Sequence, residues 1–332
     1  MQFQSYWHDT APAFALAQDG PIEGKVDVVV IGAGFTGLSA ARKLAHEGAS
    51  VAVLEARHVG FGGSGRNGGH LNNGMAHGYA EAKAQLGAER AKALWQAYDR
   101  SIDMIEEVIA QEGIACDFRR SGKLKLASKP GHVAGIRSNF ELIHREVDPD
   151  TRFLEAHELQ DEIGSDKFHG AMLYGKSGMM HMGRYVNGLA EAAHRRGAKI
   201  WEDAPVIGRR RESGGWLIDT PKGTIRAERV IAATNAYSNS VERAPLGYFR
   251  KRIVSVGSVT VTTRPLDDAE VAATLPGNRT YVTSMNIGNY FRLSPDKRMI
   301  FGGRARFSAT SDQSSDAKSG SRSTIAGAAW SA

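Results

Sequence analysis

Residues 28–55, VVVIGAGFTGLSAARKLAHEGASVAVLE, run through an apolar segment, a glycine-rich turn, a helical period and a second apolar segment that ends in an acid. Val28–Ile31 has the composition of a parallel strand buried on both faces and leads straight into Gly32-x-Gly34-x-x-Gly37. Gly32 lets the chain turn out of the strand, Gly34 lacks the Cβ that would keep a pyrophosphate off the backbone, and Gly37 lets a helix lie close to the sheet. The N–H groups and positive dipole end of a helix starting near Thr36 would face that pyrophosphate. Glu55 ends the next strand (Val51, Val53, Leu54), where a carboxylate can accept from ribose hydroxyls and disfavours a 2′-phosphate. The unit predicts a dinucleotide, NAD or FAD.

The segment Gly60-Phe61-Gly62-Gly63-Ser64-Gly65-Arg66-Asn67-Gly68-Gly69-His70-Leu71 bears on that choice. Six glycines in twelve residues, interleaved with Ser64, Arg66 and Asn67, allow close backbone approach to a flat ligand and supply N–H donors beside a guanidinium. Composition alone also fits a flexible surface loop. The position just after Glu55 favours the cofactor.

Several segments together resemble the FAD-dependent D-amino-acid-oxidase-like superfamily, and within it γ-glutamylputrescine oxidase-like proteins. They are Ser5-Tyr6-Trp7, DVVVIGAGFTGLSAARKL, LEARHVGFGGSGRNGG, Val230–Tyr237, and Tyr290–Leu293 leading to Phe301–Arg304, spanning residues 5–307 in order. The resemblance implies an α/β fold with an α+β substrate lobe: a GxGxxG Rossmann-like FAD-binding domain with an inserted antiparallel-sheet substrate domain. It divides the chain into an N-terminal arm (1–24), an FAD-binding domain (25–98 and 171–245), a substrate domain (99–170 and 246–306) and a tail (307–332). The cofactor-binding residues it implies are Gly32, Gly34, Phe35, Thr36, Gly37, Glu55, Ala56, Gly63, Ser64, Arg66, Asn67, Gly68, Gly69, Leu71, Val206, Thr234 and Asn235. Val206 is expected on the adenine side and the Thr234–Asn235 turn near the pyrophosphate.

The reaction so implied oxidises the C–N bond of an amine or amino acid. Hydride passes to flavin N5, the imine hydrolyses, and O2 or another acceptor takes the electrons. The cofactor carries the hard step, so no triad or paired-carboxylate site is expected and no catalytic side chain is assigned. Tyr290 and Arg292 are candidates to line the substrate pocket, Arg292 able to pair with a carboxylate, although both could equally face outward on their strand. Arg66 replaces the histidine of relatives that bind flavin covalently, which implies non-covalent FAD; His70 is the competing anchor. Cys116 reads as a buried hydrophobe.

With 332 residues, 42% apolar and 23% charged, the chain has room for two domains and the make-up of an ordinary soluble protein. Its apolar runs are too short for a membrane-spanning helix, no signal peptide is visible, and a single cysteine fits a reducing, cytoplasmic compartment. The net charge of +6 comes with clusters at Arg209–Arg211, His194–Arg196 and Arg250–Arg252, which read as solvated surface without the interleaved aromatics of a nucleic-acid site. The eleven histidines show no metal-ligand spacing, so no metal is expected. An aromatic hydroxylase sharing the N-terminal unit is disfavoured by the lack of a second Gly-Asp flavin motif.

Residues 81–111 read as one helix whose core face carries Leu86, Leu94, Ile102, Ile105 and Val108, with Trp95 and Met104 also in the core and Gly113 as the stop. Further helices are expected at 132–147, 156–163 and 185–196, a strand at Gly122–Ala127, and a hairpin from Gly215 to Ala227 followed by a separate buried strand, Val230–Thr234. Four β-branched segments between 254 and 301 predict a larger antiparallel sheet roofing the flavin. Beyond Phe307 the chain is serine-rich and departs from the family, as though truncated or frame-shifted, so a catalytically inactive fragment is the alternative.

Overall fold

The structure is a computed structural model that describes residues 4–75, 77–212, 214–239, 248, 252–253 and 256–307. Its Cα positions separate into two compact units. One is drawn from the described parts of 1–66, 182–259 and 305–332, the other from 67–181 and 260–304.

The first unit is built on a six-stranded sheet in the order Lys199–Trp201, Val51–Leu54, Lys25–Ile31, Gly223–Ala232, Gly215–Thr220, Gly208–Glu212. The first four are mutually parallel and the last two antiparallel. Val28–Ile31 and Val51–Leu54 are buried on both faces, as parallel strands covered on both sides must be. Val29, Ile31, Ala52 and Leu54 share one core with Trp201, Ile218 and Ile225, while the helices Phe35–His46 and Met182–Arg195 pack together and the first also packs on the sheet. The expected hairpin and the strand after it are one element. Residues 223–227 of Gly223–Ala232 pair antiparallel with the hairpin partner, and residues 226–232 pair parallel with Lys25–Ile31. Val230 and Ile231 are consequently only partly buried, near the point where the hairpin partner ends. Arg209–Arg211 lie exposed on the edge strand, where charge blunts edge-to-edge pairing.

The second unit carries a seven-stranded mixed sheet in the order Val256–Pro265, Arg298–Phe307, Tyr290–Leu293, Thr280–Thr283, Lys123–Leu126, Gly170–Tyr174, Arg152–Glu155. The Thr280–Thr283 and Lys123–Leu126 pair is parallel, so the sheet is not purely antiparallel. One face buries Leu124, Leu126, Tyr281, Phe291 and Leu293; the other packs Met172 and Tyr174 against Tyr79, Trp95, Ile136 and Ile143 of three helices. Residues 67–98 and 171–181, grouped above with the nucleotide-binding part, fall in this unit because Gly170–Tyr174 is hydrogen-bonded into its sheet and Trp95 into its core.

The single helix expected over 81–111 is two, Tyr79–Leu86 and Ala88–Glu112, broken at Gly87 with φ +81°. The buried face of the second is Ala91, Trp95, Asp99 and Ile102, so Leu86, Leu94 and Met104 are exposed instead of buried. Gly113 ends the helix in the left-handed conformation. The segment 156–163 forms a 3-10 helix, Ala156–Asp161, instead of an α-helix.

Residues 4–24 are an integral part of the first unit. Trp7, Phe14 and Ile22 are buried, Gln18 N–H donates to Ile200 O (2.8 Å), and Trp201 Nε1–H donates to Gly20 O (3.1 Å). The arm crosses the helix Met182–Arg195 at Gly183, where an added Cβ would lie 2.2 Å from Trp7 O and 3.0 Å from Ala11 Cβ. Backbone cannot rotate away as a side chain can, so Gly183→Ala should cost about 1–3 kcal/mol of stability by overpacking. A lowered urea midpoint with faster proteolysis inside residues 4–24 is the expected result; an unchanged midpoint would show that the arm does not bear on this helix.

Candidate functional site

In the first unit, Gly34 is the N-cap of Phe35–His46, one residue before the start expected at Thr36, and as a glycine it makes no side-chain cap bond of its own. The end of the helix presents its first-turn main-chain N–H groups and a positive dipole. Phe35 N–H donates to Ser64 Oγ (3.0 Å), joining the first glycine turn to the 3-10 turn Gly63–Gly65. A Cβ on Gly34 would stand 2.8 Å from Ser64 Oγ, so the close approach of the two turns uses the missing side chain at residue 34.

Glu55 sits at the end of its strand, its Oε2 accepting from Ala33 N–H (2.7 Å) and its Oε1 from Arg57 N–H (3.0 Å), with Ala56 between. Burial pushes its carboxyl above the ordinary range, and the main-chain donors at Ala33, Arg57 and Ala56 oppose that. Ala204 N–H donates to Glu55 O (2.8 Å), and two residues on Val206 packs at the edge of the core that holds Leu54. Ala233 N–H donates to Ile31 O (2.9 Å), which brings Thr234 and Asn235 beside Gly32; Asn235 has φ +46° and opens a 3-10 turn in which Tyr237 N–H donates to Thr234 O (3.1 Å). Arg66 donates from Nη2 to Tyr237 Oη (2.7 Å) and lies 4.6 Å from the Phe61 ring centre. Gly32, Gly34, Phe35, Thr36, Gly37, Glu55, Ala56, Gly63, Ser64, Arg66, Thr234 and Asn235 thus share one end of one sheet. A helix end with a glycine N-cap, a glycine turn packed closely against Ser64 and a carboxylate at the next strand end fit a dinucleotide.

The remaining candidates lie in the second unit. Asn67 Oδ1 accepts from Gly69 N–H (2.8 Å), and Leu71 is buried in a two-residue strand paired with Gly178. Tyr290 and Arg292 point to the same side of their strand, toward Gly68–His70, while Phe291 between them enters the opposite core. They do not face outward. Tyr290 meets the His70 ring edge-on at 5.4 Å, with its hydroxyl 3.4 Å from Thr260 Oγ1. Arg292, expected to meet a carboxylate, is instead fully buried, donating to the carbonyls of Gly69, Met180 (3.0 Å) and Leu293 (2.9 Å). A guanidinium so engaged holds main chain in place.

Three contributors escaped the sequence reading. Glu202 accepts from Val59 N–H (2.6 Å) and so fixes the start of the second glycine loop; an acid closing a strand next to that of Glu55 was the available signal. Ser5 and His8 reach the same loop from the arm; Ser5 belongs to the Ser5-Tyr6-Trp7 segment of the family resemblance, but nothing in that segment or at His8 signals a loop contact. Among the described residues no cluster of His, Cys, Asp or Glu could hold a metal ion, and no helix is long and apolar enough to cross a membrane. The cluster at Arg250–Arg252 is described only in part and the tail from 308 onward lies outside the described residues.

His70 Nε2 lies 3.3 Å from Phe291 O. The protein packed around the ring, and next the Arg292 guanidinium, lower its pKa from 6.5 to about 3. The native ring stays neutral while the unfolded chain takes up a proton below 6.5, so this contribution to stability is complete above pH 6.5 and is lost as the pH falls toward 3. His70→Asn is expected to flatten the acid-side decline in unfolding free energy, measured by urea titration at a series of pH values. A decline as steep as that of the unmodified protein would assign it to other groups.

A family model described as FAD dependent oxidoreductase (DAO) matches residues 27–328, which leaves the arm outside it and runs past the point where the sequence reading lost the resemblance. Among curated proteins, "Probable oxidoreductase OrdL" of Haemophilus influenzae is 34% identical over 83% of this chain and 64% of its own length. "Gamma-glutamylputrescine oxidoreductase" of Escherichia coli is 31% identical over 85% and 65%. The chain thus spans just under two thirds of the length of these two relatives. Among solved structures, glycine oxidase from Geobacillus kaustophilus superposes with a TM-score of 0.67 at 24% identity, covering 87% of this chain and 73% of that one. L-proline dehydrogenase from P. horikoshii gives 0.70 at 21%, covering 88% and 73%. The glycine turn, the acid at the second strand end, the fold and the family match over residues 27–328 agree: the chain belongs to the DAO family of FAD-dependent oxidoreductases.

Proposed function

We propose that the chain binds FAD non-covalently and oxidises the C–N bond of a small amine or amino acid. The observation that carries this reading is the cradle of the first unit, where the helix end at Gly34–Phe35, Ser64 and Glu55 converge. The names of the relatives support the substrate class: a glutamylated polyamine, glycine and proline all present a nitrogen-bearing carbon. In the reaction so proposed, the carbon beside nitrogen gives up a hydride and nitrogen a proton, and water hydrolyses the resulting imine to a carbonyl compound and a released amine. Bound FAD supplies the two-electron acceptor, itself reoxidised by O2 or another acceptor.

The chain's own residues then divide the work. The first-turn main-chain N–H groups at Thr36 and Gly37, with Ser64 held beside them by Phe35 N–H, would face the pyrophosphate, and Glu55 would accept from the ribose. In the second unit Tyr290 lines the substrate region. Arg292, through Gly69 O, orients the Gly68–His70 segment instead of binding a substrate carboxylate. Non-covalent attachment is supported by the main-chain carbonyl facing His70 Nε2, by Arg66 in place of a histidine, and by the burial of Cys116. A reducing, cytoplasmic setting suits a lone buried thiol.

The purified chain, mixed with FAD and desalted, is expected to retain flavin absorbance and to release peroxide or reduce a dye with some amine; a folded but colourless protein would sink the reading. Glu55→Ala should weaken FAD binding by roughly 1.5–3 kcal/mol, the range for a charge-assisted hydrogen bond. Titration of apoprotein measures it, and unchanged affinity counts against the ribose contact. Gly34→Val fills the cradle and should purify without flavin. A fully loaded variant would mean that the glycine turn is not where the dinucleotide lies.

A further inference from the structure

The N-terminal arm, outside the family match, touches the second glycine loop at Gly60 and Gly65. Ser5 Oγ donates to Gly65 O (2.5 Å), and His8 Nε2 lies 3.1 Å from Gly60 O. A carbonyl only accepts, so the proton of the neutral imidazole is on Nε2. Burial first, then the nearby His58 and Arg66, hold His8 below the ordinary histidine range, which keeps it in that neutral form.

The fit is close. A Cβ on Gly65 would stand 2.1 Å from His8 Nε2 and 2.2 Å from Gly60 O, so the imidazole enters only because residue 65 is glycine. From His8 the contacts continue inward: its ring meets His58 edge-on at 4.8 Å, His58 meets Phe61 at 5.2 Å, and Arg66 lies over Phe61. Between the two held carbonyls lies Ser64, whose Oγ accepts from Phe35 N–H at the helix end. The rest of the arm is fixed elsewhere, by Trp7 against Gly183 and by main-chain bonds at Gln18 and Gly20, so Ser5 and His8 are not needed to keep it attached.

We infer that the arm is a clamp on the cofactor loop, with Ser5 and His8 as positioning residues that hold Gly60–Gly65 in the shape that presents Ser64 to the helix end and keeps FAD bound. The inference rests on the FAD reading above for its consequence, though not for its geometry. Each bond holds a glycine-rich segment with little apolar burial of its own, where loop order depends on such tethers.

The test uses the full chain with Ser5→Ala, His8→Ala, the double variant, and the donor-retaining Ser5→Thr and His8→Gln. Without cofactor, amide hydrogen exchange of the 60–66 peptide should quicken in the alanine variants and return toward the unmodified rate in the donor-retaining ones. FAD dissociation constants from apoprotein titration should rise about tenfold in the double variant, as expected for two lost hydrogen bonds. Unchanged loop exchange in the double variant overturns the clamp. Faster exchange with unchanged FAD affinity overturns its role toward the cofactor, and equal loss in alanine and donor-retaining variants reduces it to general packing. If the unmodified chain binds no FAD, the functional reading fails, while the exchange arm still decides whether the clamp exists.

Discussion

The approach of the helix Phe35–His46 to the strand before it governs the first unit. A Cβ at Gly37 would stand 2.0 Å from Gly32 O and 3.1 Å from Val30 Cγ1. No other residue type tolerates that distance, and the close approach aims the helix end across the top of the sheet. Phe35 N–H then reaches Ser64, and Ala33 N–H reaches Glu55. Backing the contact are Val28–Ile31, buried among neighbours on both faces, each such side chain contributing about 1.5–3 kcal/mol. The rigid part of the unit is apolar and regular, and the loops are arranged around its edge.

Those loops contain too little apolar surface to fold by burial, and the protein holds them by polar side chains gripping main chain. Glu202 grips Val59, Ser5 and His8 grip Gly65 and Gly60, and in the second unit Arg292 grips Gly69 and Met180. A buried side chain that satisfies a loop carbonyl or amide replaces the ladder that regular structure would supply. Such residues look like binding groups in a sequence, because charge and burial together are also the signature of a ligand site.

The legibility of the sequence follows from this division. Glycine spacing, apolar runs and the acid at Glu55 are local, so the parallel strands, the helix at Phe35 and the meeting of the glycine turn with Glu55 could be read directly. The phase of Ala88–Glu112 could not, for two physical reasons. Gly87 interrupts the helix, so Leu86 does not belong to its face, and the true face includes Asp99, a carboxylate made acceptable in the interior by Asn73 and Lys176. Hydrophobic periodicity is blind to a buried acid whose partners lie in other elements. Arg292 likewise reads only as a candidate for the substrate pocket, since its carbonyl partners at Gly69 and Met180 leave no trace in the residues around it.

The strand Gly223–Ala232 joins the end of a hairpin to the strand at Lys25–Ile31, some two hundred positions earlier in the chain. Lys123–Leu126 likewise waits for Thr280–Thr283. Neither unit's sheet is complete until distant sequence has left the ribosome: Val28–Ile31 can pair early with Val51–Leu54 but holds its other edge open until residues 226–232 emerge. Loop closure over such separations is slow, and open strand edges invite association in the interval. The first unit's sheet has all of its strands by residue 232, whereas the second must wait for Thr280–Thr283 and Arg298–Phe307, so the two sheets become completable at different points of synthesis.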